Sequence, residues 1–190
     1  MELDGRAEVV RLSDAQASEA VLDPAKGLRL ICDAIERTMA KNQGRPRSAA
    51  LLAASIDNMQ SVRDLFGPST VDPVFVGLAG RMRECLRASD VVARLADDQL
   101  GIVLPYFRFN GASVALKRIL ALRSKPVTTP HGAIDLKLSL ATVLFPDENL
   151  TSADVITRAQ ATLAYNQTRN GNELELMRSV RERVTSLRHA

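Results

Sequence analysis

Arg87-Ala-Ser-Asp90-Val-Val-Ala-Arg94-Leu-Ala96-Asp97-Asp98-Gln99-Leu100-Gly-Ile-Val-Leu-Pro105 decides how this chain is read. The apolar runs on either side of Asp97-Asp98 make two strands joined by a tight acidic turn. Aspartate suits such a turn without any functional reason, because its side chain tolerates left-handed backbone and bonds locally.

Outward from the hairpin, helix and strand signals alternate. Upstream, Phe75, Leu78, Ala79, Met82, Cys85 and Leu86 recur at helical spacing and predict a helix over 73–87. Ala49 to Ile56 is a continuous small-apolar run, as expected of a strand covered on both faces. Before it, Leu28, Ile31, Cys32, Ile35 and Met39 predict a half-buried helix over 28–42, ending before Asn42-Gln-Gly44-Arg-Pro46. Downstream, a helix is expected from about 112 to 122. Ile134-Asp-Leu-Lys-Leu-Ser-Leu140 then alternates with period two, the mark of a strand with one buried face. Thr151 with Asp154 caps a helix through Ala159 and Leu163, which Asn170-Gly171 stops, and a short strand at Glu173 to Leu176 closes the set. Strands alternating with helices argue an α/β layered domain. It covers residues 23–177, with an N-terminal linker at 1–22 and a C-terminal tail at 178–190. In that tail Val180, Val184 and Leu187 share a face among Arg178, Arg181, Arg183 and Arg188, the pattern of a short basic amphipathic helix.

Composition excludes several function classes. With 190 residues, 46% hydrophobic and 25% charged, the chain holds one globular domain with a real core. A net charge of +3 without a Lys/Arg run does not suit a surface that coats nucleic acid. Cys32 and Cys85 sit in apolar-periodic segments and are expected to be small core residues in a reducing compartment. His131 and His189 are the only histidines, so no Cys/His zinc cluster is expected. No apolar run approaches the roughly 18 residues that span a bilayer, and no targeting pattern opens the chain. A cytoplasmic location is expected.

The hairpin frame is similar to the signature hairpin of GGDEF domains, the diguanylate cyclase family, in which the turn spells Gly-Gly-Asp/Glu-Glu-Phe. Here those five positions are Ala96, Asp97, Asp98, Gln99 and Leu100. Asp23-Pro-Ala-Lys-Gly27-Leu28 resembles the family's Asp-Pro-Leu-Thr-Gly-Leu entry, without the Pro-Asn-Arg that usually follows. Ser55-Ile56-Asp57-Asn-Met-Gln60-Ser-Val-Arg63-Asp64-Leu-Phe66-Gly67 resembles Asp-x-Asp-His-Phe-Lys-x-Ile-Asn-Asp-x-Tyr/Phe-Gly. Ser139 to Pro146 stands where Ser-Ile-Gly-Val-Ala-x-Phe/Tyr-Pro is usual, and Tyr165 falls at the family's tyrosine. The resemblance covers residues 23–176 and implies a mixed β-sheet flanked by helices, akin to nucleotide cyclases and polymerase palms.

Residue by residue, the resemblance implies an altered active site. Cyclisation joins two GTP molecules and needs divalent ions on hard oxygen ligands. One metal carboxylate position is Ser55, followed by Ile56; Asp98 in the turn keeps the other, beside Asp57. The second turn glycine is Asp97, which adds a side chain and a negative charge where phosphates approach, and the next acid is Gln99. At the guanine pocket Asp72 is retained and the Asn position is Arg63. The phosphate-contacting Lys positions are Gln60 and Thr168, and the Arg after the last helix is Asn172. No metal is therefore expected, and magnesium only if GTP binding survives.

A second set points elsewhere. In many GGDEF domains an Arg-x-x-Asp before the hairpin and an Arg from the helix after it bind the product, cyclic di-GMP. Those positions here are Arg87, Asp90 and Arg118. A guanidinium fork donates two bonds to guanine O6 and N7, and Asp90 accepts from the N1/N2 edge. Arg11-Leu-Ser-Asp14 repeats the pattern in the tail, where such a pair is usually a solvated ion pair of small value. The expectation is an inactive GGDEF domain acting as a cyclic di-GMP receptor or signalling adaptor. The alternatives are a residual cyclase or GTP-binding domain, resting on Asp98, Asp57 and Asp72, and a ligand-free scaffold. Expected partners are cyclic di-GMP and a second copy or a signalling protein, with neither nucleic acid nor membrane insertion.

Overall fold

The strand expected at Ala49–Ile56 forms with those bounds and is buried along its whole length. The computed structural model describes residues 14–42, 48–107, 116–145 and 150–168. Within them the chain runs α1 (Asp14–Leu22), α2 (Pro24–Lys41), β1 (Ala49–Ile56), α3 (Met59–Phe66), α4 (Val71–Glu84), β2 (Val91–Ala96) and β3 (Gln99–Leu104). It continues with α5 (described over 116–121), β4 (Val127–Thr129), β5 (Gly132–Ile134), β6 (Leu138–Phe145) and α6 (Ser152–Thr168). The main sheet has the order β2-β3-β1-β6 with antiparallel pairs throughout, and β4-β5 is a separate hairpin. The class is α/β, a sheet flanked by helices, as expected.

The period of two in β1 explains its burial on both faces. Ala50, Leu52, Ala54 and Ile56 join one core with α3, α4 and α5, while Ala49, Leu51 and Ala53 join a second with α2 and α6. Ser55 continues the second set, so it belongs to the α2/α6 side. Its neighbours across the sheet are Gln99 in β3 and Ser139 in β6.

Several boundaries differ from expectation for identifiable reasons. The first expected helix begins earlier, at Pro24, because the Asp23 carboxylate accepts from the Ala25 and Lys26 N–H groups at 2.8 and 3.2 Å and proline opens the first turn. The helix expected over 73–87 is Val71–Glu84. The alternating run 134–140 is not one strand: β5 ends at Ile134, and β6 starts at Leu138 and runs on to Phe145. The Asn58 side chain takes the intervening backbone, donating to the Asp135 carbonyl at 2.9 Å and accepting from the Lys137 N–H at 2.8 Å. Cys32 and Cys85 are half-buried at the margins of the two cores rather than inside them. Within the expected linker, α1 forms and buries Ala20 and Val21. The expected cap of α6 is present: the Thr151 N–H and hydroxyl both meet the Asp154 carboxylate, at 2.9 and 2.6 Å. The stop at Asn170-Gly171, the strand 173–176, the tail helix and Arg11 lie outside the described residues.

Candidate functional site

The end of β1 and the acidic turn adjoin, since the Ile56 N–H donates to the Asp98 carbonyl at 2.9 Å. Ser55 and Ser139 are buried, at 0% and 2% exposure. Gln167, in the last turn of α6, reaches this corner and its Nε2 donates to Ser55 Oγ and to Asp57 Oδ1, both at 2.9 Å. The Ser139 hydroxyl donates to Asp57 Oδ2 at 2.7 Å. Both Asp57 oxygens thus meet protein donors, and four side chains from β1, its following turn, β6 and α6 form one network. Gln99, beside Ser55, accepts a long bond of 3.5 Å from Gln160.

Other expected positions face elsewhere. Gln60 donates to Asp64 at 2.8 Å along α3, and the Thr168 hydroxyl donates to the Tyr165 carbonyl at 2.7 Å within α6. Asn172 lies outside the described residues. Gln167 was not among the expected site residues, although a signal existed. It follows Leu163 by four positions and Ala159 by eight, and both are buried on the face of α6 toward the sheet.

Arg63, Asp72, Asp97 and Asp98 surround a further residue that the motif left out, Arg94. Its side chain is 7% exposed, with Nη1 3.7 Å from the largely exposed Asp72 carboxylate. It donates to the carbonyls of Asp97 at 2.8 Å, Ala96 at 3.3 Å and Leu22 at 3.3 Å. Burial lowers its pKa from the ordinary arginine value, and Arg63 pushes the same way; Asp72, Asp97 and Asp98 pull it back up. The retained Asp72 thus lies against a structural cation, and the turn carbonyl of Asp97 is pinned to the strand that precedes it.

Arg87 and Asp90 form a compact turn. The Asp90 N–H donates to the Arg87 carbonyl at 3.0 Å, and the Asp90 carboxylate accepts from the Arg87 N–H at 2.8 Å and from the Ser89 hydroxyl at 3.3 Å. Burial raises the Asp90 pKa above the usual aspartate value, against the opposing pull of those donors and of the Arg87 charge. The Arg87 side chain is exposed, and its guanidinium has no hydrogen bond or ion pair among the described residues. Arg118 is exposed on α5 between the buried Leu116 and Ile119; no described bond joins it to Arg87 or Asp90. Beside the turn lies a groove of ≈ 70 Å³ with Arg37, Thr38 and Lys41 of α2 on one wall and Ser89 and Tyr106 on the other.

Comparison with known proteins identifies the architecture. The family described as diguanylate cyclase, GGDEF domain, matches residues 27–173, and the chain belongs to it. The chain is 24% identical over 179 residues to the bifunctional diguanylate cyclase/cyclic di-GMP phosphodiesterase MucR of Pseudomonas aeruginosa, covering 89% of this chain and 26% of MucR. It therefore spans about a quarter of that relative. Among solved structures, diguanylate cyclase SiaD of Pseudomonas aeruginosa in complex with its activator SiaC superposes with a TM-score of 0.67 at 23% identity, covering 81% of this chain and 60% of SiaD. The GGDEF domain of DgcB from Caulobacter crescentus in complex with c-di-GMP gives 0.63 at 18% identity, covering 74% and 84%. At these identities the structural likeness carries the fold. No described helix is long and apolar enough to cross a membrane.

Proposed function

We propose that this GGDEF domain does not cyclise GTP and works as a cyclic di-GMP receptor or signalling adaptor through Arg87, Asp90 and Arg118. The observation that carries the receptor role is the Arg87-Asp90 turn. Its carboxylate is held by the turn's own donors, while the Arg87 side chain is exposed and its guanidinium makes no hydrogen bond among the described residues. Part of the ordering cost of binding is thereby already met. An arginine fork with a fixed acceptor beside it matches the O6/N7 and N1/N2 edges of guanine. Arg37 and Lys41 in the adjoining groove favour an anionic ligand.

Loss of turnover rests on the donor set at the end of β1. Magnesium demands several hard oxygens in near-octahedral order. Ser55 offers a buried hydroxyl already bonded to Gln167, and both Asp57 oxygens are engaged. These residues do not suit that ion. Isothermal titration calorimetry with cyclic di-GMP, and separately with GTP and magnesium, tests the function. Heat with the first and none with the second is expected; binding of GTP-magnesium alone would reverse the assignment.

A further inference from the structure

We infer that Gln167 is a positioning residue that clasps the last turn of α6 to the end of β1, its neutral amide bonded to Ser55, the position at which the resemblance implies a metal carboxylate. Three observations converge. The Gln167 Nε2 group bridges Ser55 at the end of β1 and Asp57 in the turn that follows, at 2.9 Å to each. The second Asp57 oxygen is taken by Ser139 at 2.7 Å. One residue before the clasp, Asn166 donates to the Leu140 carbonyl at 2.7 Å, a second stitch between the same turn and β6.

The chemistry of the clasp follows from its donors. The Asp57 side chain is exposed, while the Ser55 hydroxyl beside it is buried and needs a partner within the protein. A cation satisfies a carboxylate by charge; an amide and a hydroxyl satisfy it without importing any. The bridging bonds hold the corner without a divalent ion, and a cation that binds Asp57 Oδ1 competes there with Gln167. The inference stands apart from cyclic di-GMP binding, which involves the other end of β2, and neither outcome decides the other.

A thermal-unfolding series on the full chain tests it, with manganese as the probe ion. Gln167→Ala and Ser55→Ala should each lower the midpoint by roughly 2–4 °C, and the double variant should lose clearly less than the sum, because both remove one shared bond. Gln167→Glu sets two carboxylates together: its midpoint should fall without ions and recover with millimolar manganese, which leaves the wild-type midpoint unchanged. Additive single losses, or no loss in Gln167→Ala, overturn the clasp. So does a manganese shift in the wild type as large as that in Gln167→Glu. Should Gln167→Glu fail to fold, the Ala cycle alone decides.

Discussion

The Arg94 guanidinium lies 4.0 Å from the centroid of the Phe75 ring. This contact joins β2 to α4 under the acidic turn, while the same guanidinium caps carbonyls of the turn and of the end of α1. An ammonium reproduces neither the planar stack nor three divergent bonds. Arg94→Lys should therefore cost about 1–3 kcal/mol, since part-buried carbonyls lose their donors and Phe75 its stacked partner. Urea unfolding measures it; a change below about 0.5 kcal/mol, the level of an ordinary surface substitution, would show that the stack is incidental.

Gly27 should tolerate no side chain. In an open helix position Gly→Ala stabilises by about 1 kcal/mol. Here an added Cβ would meet the Arg94 carbonyl and the Ala20 carbonyl at 2.2 and 2.5 Å, both backbone atoms. The sign should invert, with Gly27→Ala losing about 1–3 kcal/mol as α2 is pushed off β2. A rise in melting temperature would mean that α2 and β2 part easily.

The frame of the fold was legible because its signals are local. The small-apolar run gave β1 to the residue, and the apolar runs around Asp97-Asp98 gave the β2-β3 hairpin. Thr151 and Asp154 marked the start of α6 by a bond three residues long. What the sequence hid depends on distant partners. Ile134 to Leu140 alternates throughout, yet Asn58, far away in the chain, breaks the ladder at 135–137. The eight-residue α3 is too short for helical periodicity to stand out from the motif that contains it. At the corner, Ser55 and Asp57 lie within the motif-like stretch 55–67, but Gln167 stands at no motif position. Its role arises only when α6 is laid on the sheet.

Turnover should be absent and hard to restore. With GTP and magnesium, chromatography should find no cyclic di-GMP above a no-protein control, even at concentrations that favour pairing of domains. Ser55→Asp alone should also give none. By the resemblance, Gln60 and Thr168 would still stand at the phosphate Lys positions, and Asp97 at the turn glycine. Product from the unmodified chain would refute the inactive assignment.

Asp90 gives a pH-dependent comparison. Its folded pKa is raised above the unfolded value, so its favourable contribution is present in acid, when the group is protonated, and is lost as pH rises through the folded value. Asp90→Asn carries no such charge. The midpoint of Asp90→Asn relative to wild type should therefore climb as the pH rises above the ordinary aspartate value of about 3.9 and level off beyond the raised folded value. Scanning calorimetry at several pH values checks it. A difference that falls with pH would mean that the turn's donors outweigh burial.

Cyclic di-GMP affinity should depend on Arg87 above all. If its fork reads a guanine edge, Arg87→Ala removes two bonds and leaves polar ligand atoms unpaired, a loss of about 1–3 kcal/mol, or one to two decades in Kd. Arg87→Lys should fail nearly as badly, because an ammonium cannot place two parallel donors. Arg118→Ala should weaken binding as well, since a phosphate or second guanine loses its cation. Arg11→Ala, in the repeated Arg-x-x-Asp pattern, should change nothing. Titration calorimetry separates these outcomes. No wild-type binding at about 100 micromolar ligand, or equal behaviour of the Arg11 and Arg87 variants, removes the receptor role and leaves the domain as a protein-interaction scaffold.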